Sequence, residues 1–355
     1  MFKILSAVRF LVLWVVCLWA VQVSAQGLAS GGYGANFQTR ETPLDVAIGI
    51  QIDQISFVDQ KSENYGAVAT IRARWSDPLL AFDKEEYGRE YRVMKPPAFI
   101  EYAAERAAIA PGFVIQNQQS NRWIHQSVVV IHANGDASYS EKSSLTLQAP
   151  DFNFTKYPFD RQQFKFEIVS LYPSDLVRYS VLSEFSGMGD KLGEEEWILE
   201  NAQMQTSRVT GLTGLESDMV ALDFQGRRHI MYYTIRIMLP MLVLVVVSWA
   251  TFFLDEYRKR IEIAGANLLM FIAFNWVISD DLPKLGYLTF LDFILQWMFV
   301  VSGAIVVFSV VLSRLKWSGR EVMARKLDNY AVKWVYPLGY AGVVAFAVSK
   351  YLVIG

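Results

Sequence analysis

Apolar and polar residues alternate in the first part of the chain. Between Leu44 and Ile52 nearly every second residue is apolar, which places these side chains on one face of a β-strand. After Ile52 the apolar positions move to Ile55 and Phe57. This odd spacing would turn the side chains over unless the strand bends or bulges. The pattern therefore predicts a half-buried strand with a bend beyond Ile52.

Four further alternating segments follow, separated by turn signals. Asn134 and Gly135 give the strongest of these signals, because both residues tolerate the positive φ that a tight hairpin needs. Short strands at this spacing are typical of an antiparallel sandwich. The sequence therefore predicts an all-β, immunoglobulin-like domain. Its further strands are expected at Gly66–Trp75, Arg122–His132, Asp136–Leu147 and Arg161–Val169.

Apolar runs dominate the chain from about Met231 onward. A bilayer core is about 30 Å thick and a helix rises about 1.5 Å per residue, so about 20 apolar residues cross it. The sequence therefore predicts a four-helix, all-α transmembrane domain over 231–355, preceded by an extracellular sandwich over 26–230. The four helices are expected at about 231–254, 261–279, 287–312 and 330–354.

Residues 1–25 have the pattern of a secretory signal peptide. Lys3 and Arg9 precede an apolar run over 10–21, and small residues close the segment. The run is short for a membrane span, which favours cleavage over the alternative of a retained anchoring helix. The single cysteine, Cys17, lies in this segment. After cleavage we expect no thiol for catalysis, metal binding or a disulfide.

Basic residues are unevenly distributed between the predicted helices. The first connection contains Arg258, Lys259 and Arg260, and the third contains five basic residues, whereas the second contains only Lys284. Basic loops remain in the cytoplasm, which predicts an amino-terminal domain on the outside. The formal net charge of −2 is small and gives no reason to expect a nucleic-acid partner.

One face of the second predicted helix differs from its surroundings. Its residues recur at spacings of four and three, and the series begins and ends with a carboxylate. In a ring of subunits this face would line a pore, with Glu262 selecting cations and Leu269, Ala273 and Trp276 forming a gate. The alternative is that Glu262 only pairs with Arg258, one turn earlier. The stripe consists of Glu262, Ala266, Leu269, Ala273, Trp276 and Asp280.

Several short motifs follow one another in a recognisable order. The most specific is Tyr157-Pro158-Phe159-Asp160. The others are Trp75-Ser76-Asp77-Pro78-Leu79-Leu80, Pro111 with Asn117, Arg228 followed by Tyr233 and Pro240, and Asp281-Leu282-Pro283-Lys284. Together they resemble the pentameric ligand-gated ion channels, or Cys-loop receptors, from about Leu44 to the end. Pro150 and Phe164 stand where most members have the two cysteines, as in bacterial members.

This resemblance implies a bacterial inner-membrane channel with its amino-terminal domain in the periplasm. Each chain would meet four identical subunits around a central pore, with membrane lipid outside. Asp160 and Arg228 are candidates for an ion pair between the domains, with Asp59 or Glu63 as competing partners. The residues expected to couple the domains are Asp59, Glu63, Tyr157, Pro158, Phe159, Asp160, Arg228 and Pro283.

The resemblance also implies an agonist site between subunits. Its candidate residues are Thr70, Arg72, Gln116, Trp123, Tyr172 and Arg208. An amine would find few aromatic partners for cation–π contacts besides Tyr172. Arg72, Arg74 and Arg208 favour an acidic ligand, although arginines on strands are more often only solvated. The sequence leaves the stimulus open between a small molecule and protons.

The predicted function is therefore a ligand- or proton-gated channel for monovalent cations. Lys259 stands where cation-selective members usually have an acidic residue, so Glu262 would supply the negative ring. The alternative is a non-conducting, membrane-anchored ligand sensor, in which the stripe faces helices or lipid. His125, His132 and His229 suggest no triad or ligand set, so we expect no enzyme, metal or cofactor.

Overall fold

The computed structural model describes residues 42–189, 197–211, 214–254, 256–281, 285–330 and 334–354, apart from the side chains of 279–281 and 354. The predicted signal peptide lies outside these residues. Strands and two short helices, α1 (Lys84–Tyr87) and α2 (Pro96–Glu105), form the first half. The strands are β1 (Leu44–Asp59), β2 (Asn64–Ser76), β3 (Tyr91–Met94), β4 (Phe113–Ile115), β5 (Trp123–His132), β6 (Asp136–Gln148), β7 (Arg161–Ser170), β8 (Val177–Val181), β9 (Gly187–Met188), β10 (Trp197–Thr210) and β11 (Glu216–Arg228).

These strands form two sheets that share one hydrophobic core. The larger sheet has the order β3-β5-β6-β2-β1-β8, with the short β9 beside β1, and the smaller has the order β10-β11-β7-β4. Alternate residues enter the core, including Ile48 and Ile50 of β1 and Phe164 and Phe166 of β7. This arrangement confirms the predicted all-β sandwich.

The predicted bend in β1 is confirmed. The register of β1 against β2 shifts between Ile52 and Gln54, and again between Ile55 and Phe57. Ile55 is buried, whereas Phe57 is exposed. The predicted hairpin is also present, with Gly135 between β5 and β6 at a φ of 92°, a value that a glycine adopts without strain.

Aromatic packing surrounds Phe164, which the resemblance places at one of the family's two cysteine positions. Its ring stacks on Phe224 at a centroid distance of 5.2 Å. It also meets Tyr65, Phe152 and Trp197 edge-on at 5.1, 5.3 and 5.7 Å. Such rings bury large apolar areas, and each pair adds about 0.5–1.5 kcal/mol beyond that burial. The cluster ties β2, β7, β10 and β11 to the loop that precedes β7.

The second half is helical. Four helices are long and apolar enough to cross a membrane, and they pack against one another. A shorter helix, α6, lies between the last two. The helices are α3 (Ile230–Phe253), α4 (Tyr257–Asp281), α5 (Phe290–Trp317), α6 (Glu321–Tyr330) and α7 (Tyr336–Val353).

The helix ends differ from those predicted by hydropathy. α4 begins at Tyr257, one turn before 261, because charged residues join its first turn. α5 begins after Thr289, which forms a capping box with Asp292, and it continues to Trp317. Tyr330 ends α6 and does not begin the fourth span. Hydropathy marks the apolar part of a helix, whereas caps and charged turns set its ends.

Candidate pore and coupling site

Arg228, the last residue of β11, is buried beside the loop that precedes β7. Its Nε lies 3.0 Å from Oδ1 of Asp160, and both side chains are withdrawn from solvent. Its Nη1 donates a hydrogen bond of 2.8 Å to the hydroxyl of Tyr233 in α3. The guanidinium also lies over the rings of Trp197 and Tyr157, at 4.2 and 4.9 Å. One arginine thus joins the sandwich, the loop and the first turn of α3.

Neighbouring polar groups hold Asp160 in place. The side-chain amide of Gln162 donates to Asp160 Oδ2 and, at 2.9 Å, to the carbonyl of Asn153. The Asn153 N–H in turn donates to Gln162 Oε1 at 2.8 Å. A buried ion pair is tolerated when further hydrogen bonds satisfy its remaining polar atoms. The Tyr157–Pro158 peptide bond in the same loop is cis.

The same loop also contacts the start of α5. The N–H of Phe154 donates to the hydroxyl of Tyr287 at 3.1 Å, and the N–H of Phe290 donates to the carbonyl of Thr155 at 2.9 Å. The rings of Phe159 and Phe290 lie 5.6 Å apart. Because the loop touches both α3 and α5, its displacement would be transmitted to two membrane helices.

The predicted coupling residues thus converge only in part. Tyr157, Phe159, Asp160 and Arg228 meet at the junction of the two halves. Asp59 and Glu63 instead lie at the β1–β2 turn, and, among the described residues, the carboxylate that pairs with Arg228 is that of Asp160. Pro283 lies outside the described residues.

The carboxylate of Asp59 has a local role. The backbone N–H and the hydroxyl of Ser62 donate to it at 3.1 and 2.8 Å, and the N–H of Lys61 donates at 2.9 Å. These hydrogen bonds, mainly those from Ser62, lower the pKa of Asp59 below its ordinary value. Asp59 therefore stabilises the turn of its own hairpin, which sequence spacing alone did not distinguish from pairing with the arginine.

A cavity of about 610 Å³ lies next to this junction. Tyr157 and Tyr233 line one part of it, and Phe274 and Ile278 of α4 line another. Arg236 of α3 also borders it. Unfilled space between packed elements lowers the cost of moving them past one another. The cavity therefore leaves α4 room to shift relative to the loop that precedes β7.

The predicted pore stripe lies on the face of α4 that points away from the rest of the chain. Leu269 and Trp276 are 67% and 80% exposed, and Glu262, Ala266 and Ala273 are exposed as well. The opposite face packs on α3 and α5. A helix turns about 100° per residue, which places the two faces roughly opposite each other. The packed residues are Arg260, Ala264, Asn267, Phe271 and Ile278. The structure does not describe the side chain of Asp280.

Two polar contacts that sequence reasoning missed fix the orientation of α4. Asn267 donates to the carbonyl of Leu244 at 3.0 Å and to the hydroxyl of Ser248, both in α3. Arg260 donates to both carboxylate oxygens of Asp328 in α6, at 2.7 and 2.9 Å. Asn267 is one of two amides, with Asn275, in the apolar run of α4, and a polar side chain in such a run was the available signal for the first contact.

The alternative partner of Glu262 is present. Arg258 Nε lies 3.2 Å from Glu262 Oε1, one turn away, and both side chains are exposed. Lys259 pairs with Glu256 at 3.0 Å. Exposed pairs of this kind contribute only about 0.3–0.5 kcal/mol. The pair leaves Glu262 on the outward face, so pairing and pore lining are compatible.

The predicted ligand-binding residues divide between the two sheets. Thr70, Arg72 and Trp123 belong to the larger sheet, whereas Arg208 lies in the smaller sheet and Gln116 and Tyr172 lie beside it. Trp123 is exposed on β5, and Thr70 donates to the carboxylate of Asp53 at 2.6 Å. The six residues are therefore spread over both sheets, and the ligand site between subunits stays a prediction.

Three of these residues have partners within the chain. The guanidinium of Arg72 lies 3.3 Å from the ring centre of Phe185, and Arg208 lies 3.6 Å from Asp218. Tyr172 is buried, and its hydroxyl donates to the carbonyl of Ala110 at 3.4 Å. Tyr172 stays a predicted ligand contact, and in this structure its ring packs in the hydrophobic core.

Two carboxylates on the smaller sheet have pKa values above the ordinary range of their residue types. Partial burial raises the pKa of Glu167 and of Asp223, and the nearby Lys165 offsets part of this effect. Asp223 lies directly opposite Lys165 in the β7–β11 register. Lys165 itself pairs with Asp151 at 2.6 Å, which raises the lysine pKa. The two carboxylates therefore release their protons nearer neutrality than ordinary ones.

Comparison with known proteins agrees with this architecture. Residues 33–230, more than half of the chain, match the model of the neurotransmitter-gated ion-channel ligand binding domain. The proton-gated ion channel of Gloeobacter violaceus is 26% identical over 81% of this chain and 78% of its own length. The pH-sensitive chloride channel 2 of Drosophila melanogaster is 24% identical over 84% of this chain. The glycine receptor subunit beta of Homo sapiens is 23% identical over 70% of it.

The chain spans 59% and 51% of the length of the two animal relatives. All three relatives are ion channels and not enzymes, and their names include a proton-gated channel and a chloride channel. The extracellular sandwich and the four candidate membrane spans fit a multi-pass membrane protein of the same kind. The chain therefore belongs to the neurotransmitter-gated ion-channel family, the pentameric ligand-gated ion channels.

Proposed function

We propose that five identical copies of this chain form a gated, cation-selective pore lined by the outward face of α4. The observation that carries this proposal is the exposed stripe from Glu262 to Trp276 on a membrane-spanning helix. A carboxylate in lipid would cost about 2.5–3.5 kcal/mol at a helix centre and less near its end. A closed ring of subunits removes this cost, because it places every Glu262 in water.

Glu262 is the proposed selectivity filter. Five carboxylates at one level attract cations and offer partial replacement for their hydration shells. Arg258 lies next to each of them and weakens this field. Further along the stripe, the proposed gate consists of Leu269, Ala273 and Trp276. The five copies of Leu269 and the five copies of Trp276 would each form an apolar ring around the pore, and these rings would close the path by dewetting.

Reversal potentials test this assignment in cells that express the full chain. In a tenfold sodium chloride gradient, the reversal potentials of a cation channel and of an anion channel each lie about 59 mV from zero, on opposite sides. We expect the wild type to reverse near the cation potential and Glu262→Gln to move toward the chloride potential. Arg258→Gln is the matched control, and it should keep or strengthen the cation preference. A wild-type reversal near the chloride potential would assign selectivity to Arg258 instead.

The proposed stimulus is a small molecule or protons. A between-subunit site would use Arg72 and Trp123 from one chain and Arg208 from the next, whereas Glu167 and Asp223 would respond to acid within each chain. The bacterial relative is described as proton-gated. If acid alone evokes a current, protons are the stimulus. Surface expression without current under any stimulus would support the non-conducting sensor.

The proposed location is a bacterial inner membrane with the sandwich in the periplasm. The support is the basic composition of the α3–α4 connection and of the α5–α7 segment, since basic loops remain in the cytoplasm. In this orientation α6 lies on the cytoplasmic side.

A further inference from the structure

α6 carries large apolar side chains that are exposed in the described part of the chain. Val322 and Tyr330 are 73% and 70% exposed, and Met323 and Leu327 are exposed as well. Trp317, the last residue of α5, is 91% exposed. Clusters of large exposed apolar side chains mark contact with a protein partner or a membrane. We call these five residues the α6 surface.

The other face of α6 is fixed to the channel. Ala324 is buried, and Asp328 binds both arms of the Arg260 guanidinium. At about 100° per residue, Glu321 lies beside this anchored face, whereas Lys326 lies among the outward apolar residues. By the same geometry Arg325 lies beside Glu321 at the edge of the anchored face, where its side chain is exposed. The helix thus turns its apolar residues and Lys326 away from the protein, with Arg325 at the border between the two faces.

The position of α6 along the chain keeps it at the membrane boundary. Three residues separate the end of α5 at Trp317 from the start of α6 at Glu321, and the next membrane-spanning segment begins at Tyr336. A helix of this length extends only about 15 Å. The α6 surface therefore stays at the level where headgroups meet the acyl chains.

The charge around α6 identifies the partner. Its surroundings carry five basic residues, whereas the helix has two acidic residues, one of which is paired with Arg260. A second copy of α6 would bring the same positive charge and be repelled, whereas an anionic membrane surface would be attracted. The basic residues are Arg314, Lys316, Arg320, Arg325 and Lys326.

We propose that α6 is an interfacial helix that binds anionic phospholipid headgroups. Its apolar side chains enter the boundary of the acyl region, and Arg320, Arg325 and Lys326 contact lipid phosphates. The bidentate Arg260–Asp328 pair holds the helix in this orientation. This lipid site does not require ion conduction, so its test is independent of the proposed pore.

Fluorescence quenching of Trp317 tests the proposal. The full-length channel is placed in phosphatidylcholine vesicles that contain either brominated phosphatidylglycerol or brominated phosphatidylcholine at the same mole fraction. The Trp317 signal is the difference between the wild type and Trp317→Phe. We expect severalfold stronger quenching by the anionic lipid, and a loss of this excess at high salt.

Charge variants make the test specific. Replacing Arg320, Arg325 and Lys326 together by glutamine should abolish the preference for phosphatidylglycerol. A matched triple variant of exposed extracellular residues, Lys84→Gln, Arg89→Gln and Arg178→Gln, should retain it. Equal quenching by the two lipids in the wild type, or an unchanged preference in the α6 variant, would overturn the proposal. Absent quenching by both lipids, with cross-links between α6 helices, would assign the surface to a second copy.

Discussion

Replacing Arg228 by glutamine is expected to destabilise the protein by about 3–5 kcal/mol, because it leaves Asp160 buried without its counter-charge. The side chains of Arg228 and Asp160 are 0% and 1% exposed, so water cannot solvate the Asp160 carboxylate once the arginine is removed. The substitution also removes the contact with Tyr233 and the cation–π contact with Trp197. The measurement is the denaturation midpoint of the detergent-purified protein, together with the amount of intact oligomer on gel filtration.

The preceding residue provides a matched control. Arg227 is partly exposed and pairs with Glu200 at 3.5 Å, so Arg227→Gln should cost less than about 1 kcal/mol. Adding Asp160→Asn to Arg228→Gln should recover part of the loss, because the unpaired buried charge is then removed. Equal losses from Arg227→Gln and Arg228→Gln would contradict the account of a buried pair at the junction.

Arg260→Gln is expected to have a similarly large effect at the other end of the membrane domain. The Arg260 side chain is 5% exposed, and its partner Asp328 is 16% exposed. Loss of one charge from a buried pair typically costs about 3–5 kcal/mol, and the slight exposure of Asp328 places this case near the lower value. Loss of the pair should also detach α6 from α4, which limited proteolysis would reveal as faster cleavage near residues 318–330.

Arg258→Gln controls for the loss of a positive charge on the same turn. Arg258 is 91% exposed and pairs with Glu262 within the helix, so its replacement should cost about 0.3–0.5 kcal/mol. Its cleavage rate should match the wild type. If Arg260→Gln were as stable and as resistant as Arg258→Gln, the pair would not anchor α6.

The periodic spacing of apolar residues in the sequence predicted much of this architecture. The two-residue alternation of β1, with its break after Ile52, predicted both the strand and its bulges. The spacing of four and three along α4 separated the outward stripe from the packed face, because helical geometry fixes which residues share a side. The aromatic-Pro-Phe-Asp loop was found by resemblance, and the structure places it at the junction.

Contacts between residues that are distant in the sequence were harder to predict. Spacing did not decide whether Asp59, Glu63 or Asp160 would pair with Arg228, since that choice depends on how the loop folds onto α3. The Arg260–Asp328 pair joins residues 68 positions apart, and no local pattern indicates it. Tyr172 matched a ligand loop by resemblance, yet its ring enters the core. Each of these outcomes is decided by tertiary packing.

Current block by a thiol reagent tests most directly whether the outward face of α4 lines the pore. Cys17 is the single cysteine, so Cys17→Ser provides a clean background. Ala266→Cys and Ala273→Cys lie on the outward stripe, whereas Ala264→Cys is a buried control with the same chemical change. A positively charged methanethiosulfonate should reduce the current irreversibly in both stripe variants and leave the control unchanged. Block at Ala264→Cys without block at the stripe positions would contradict the account.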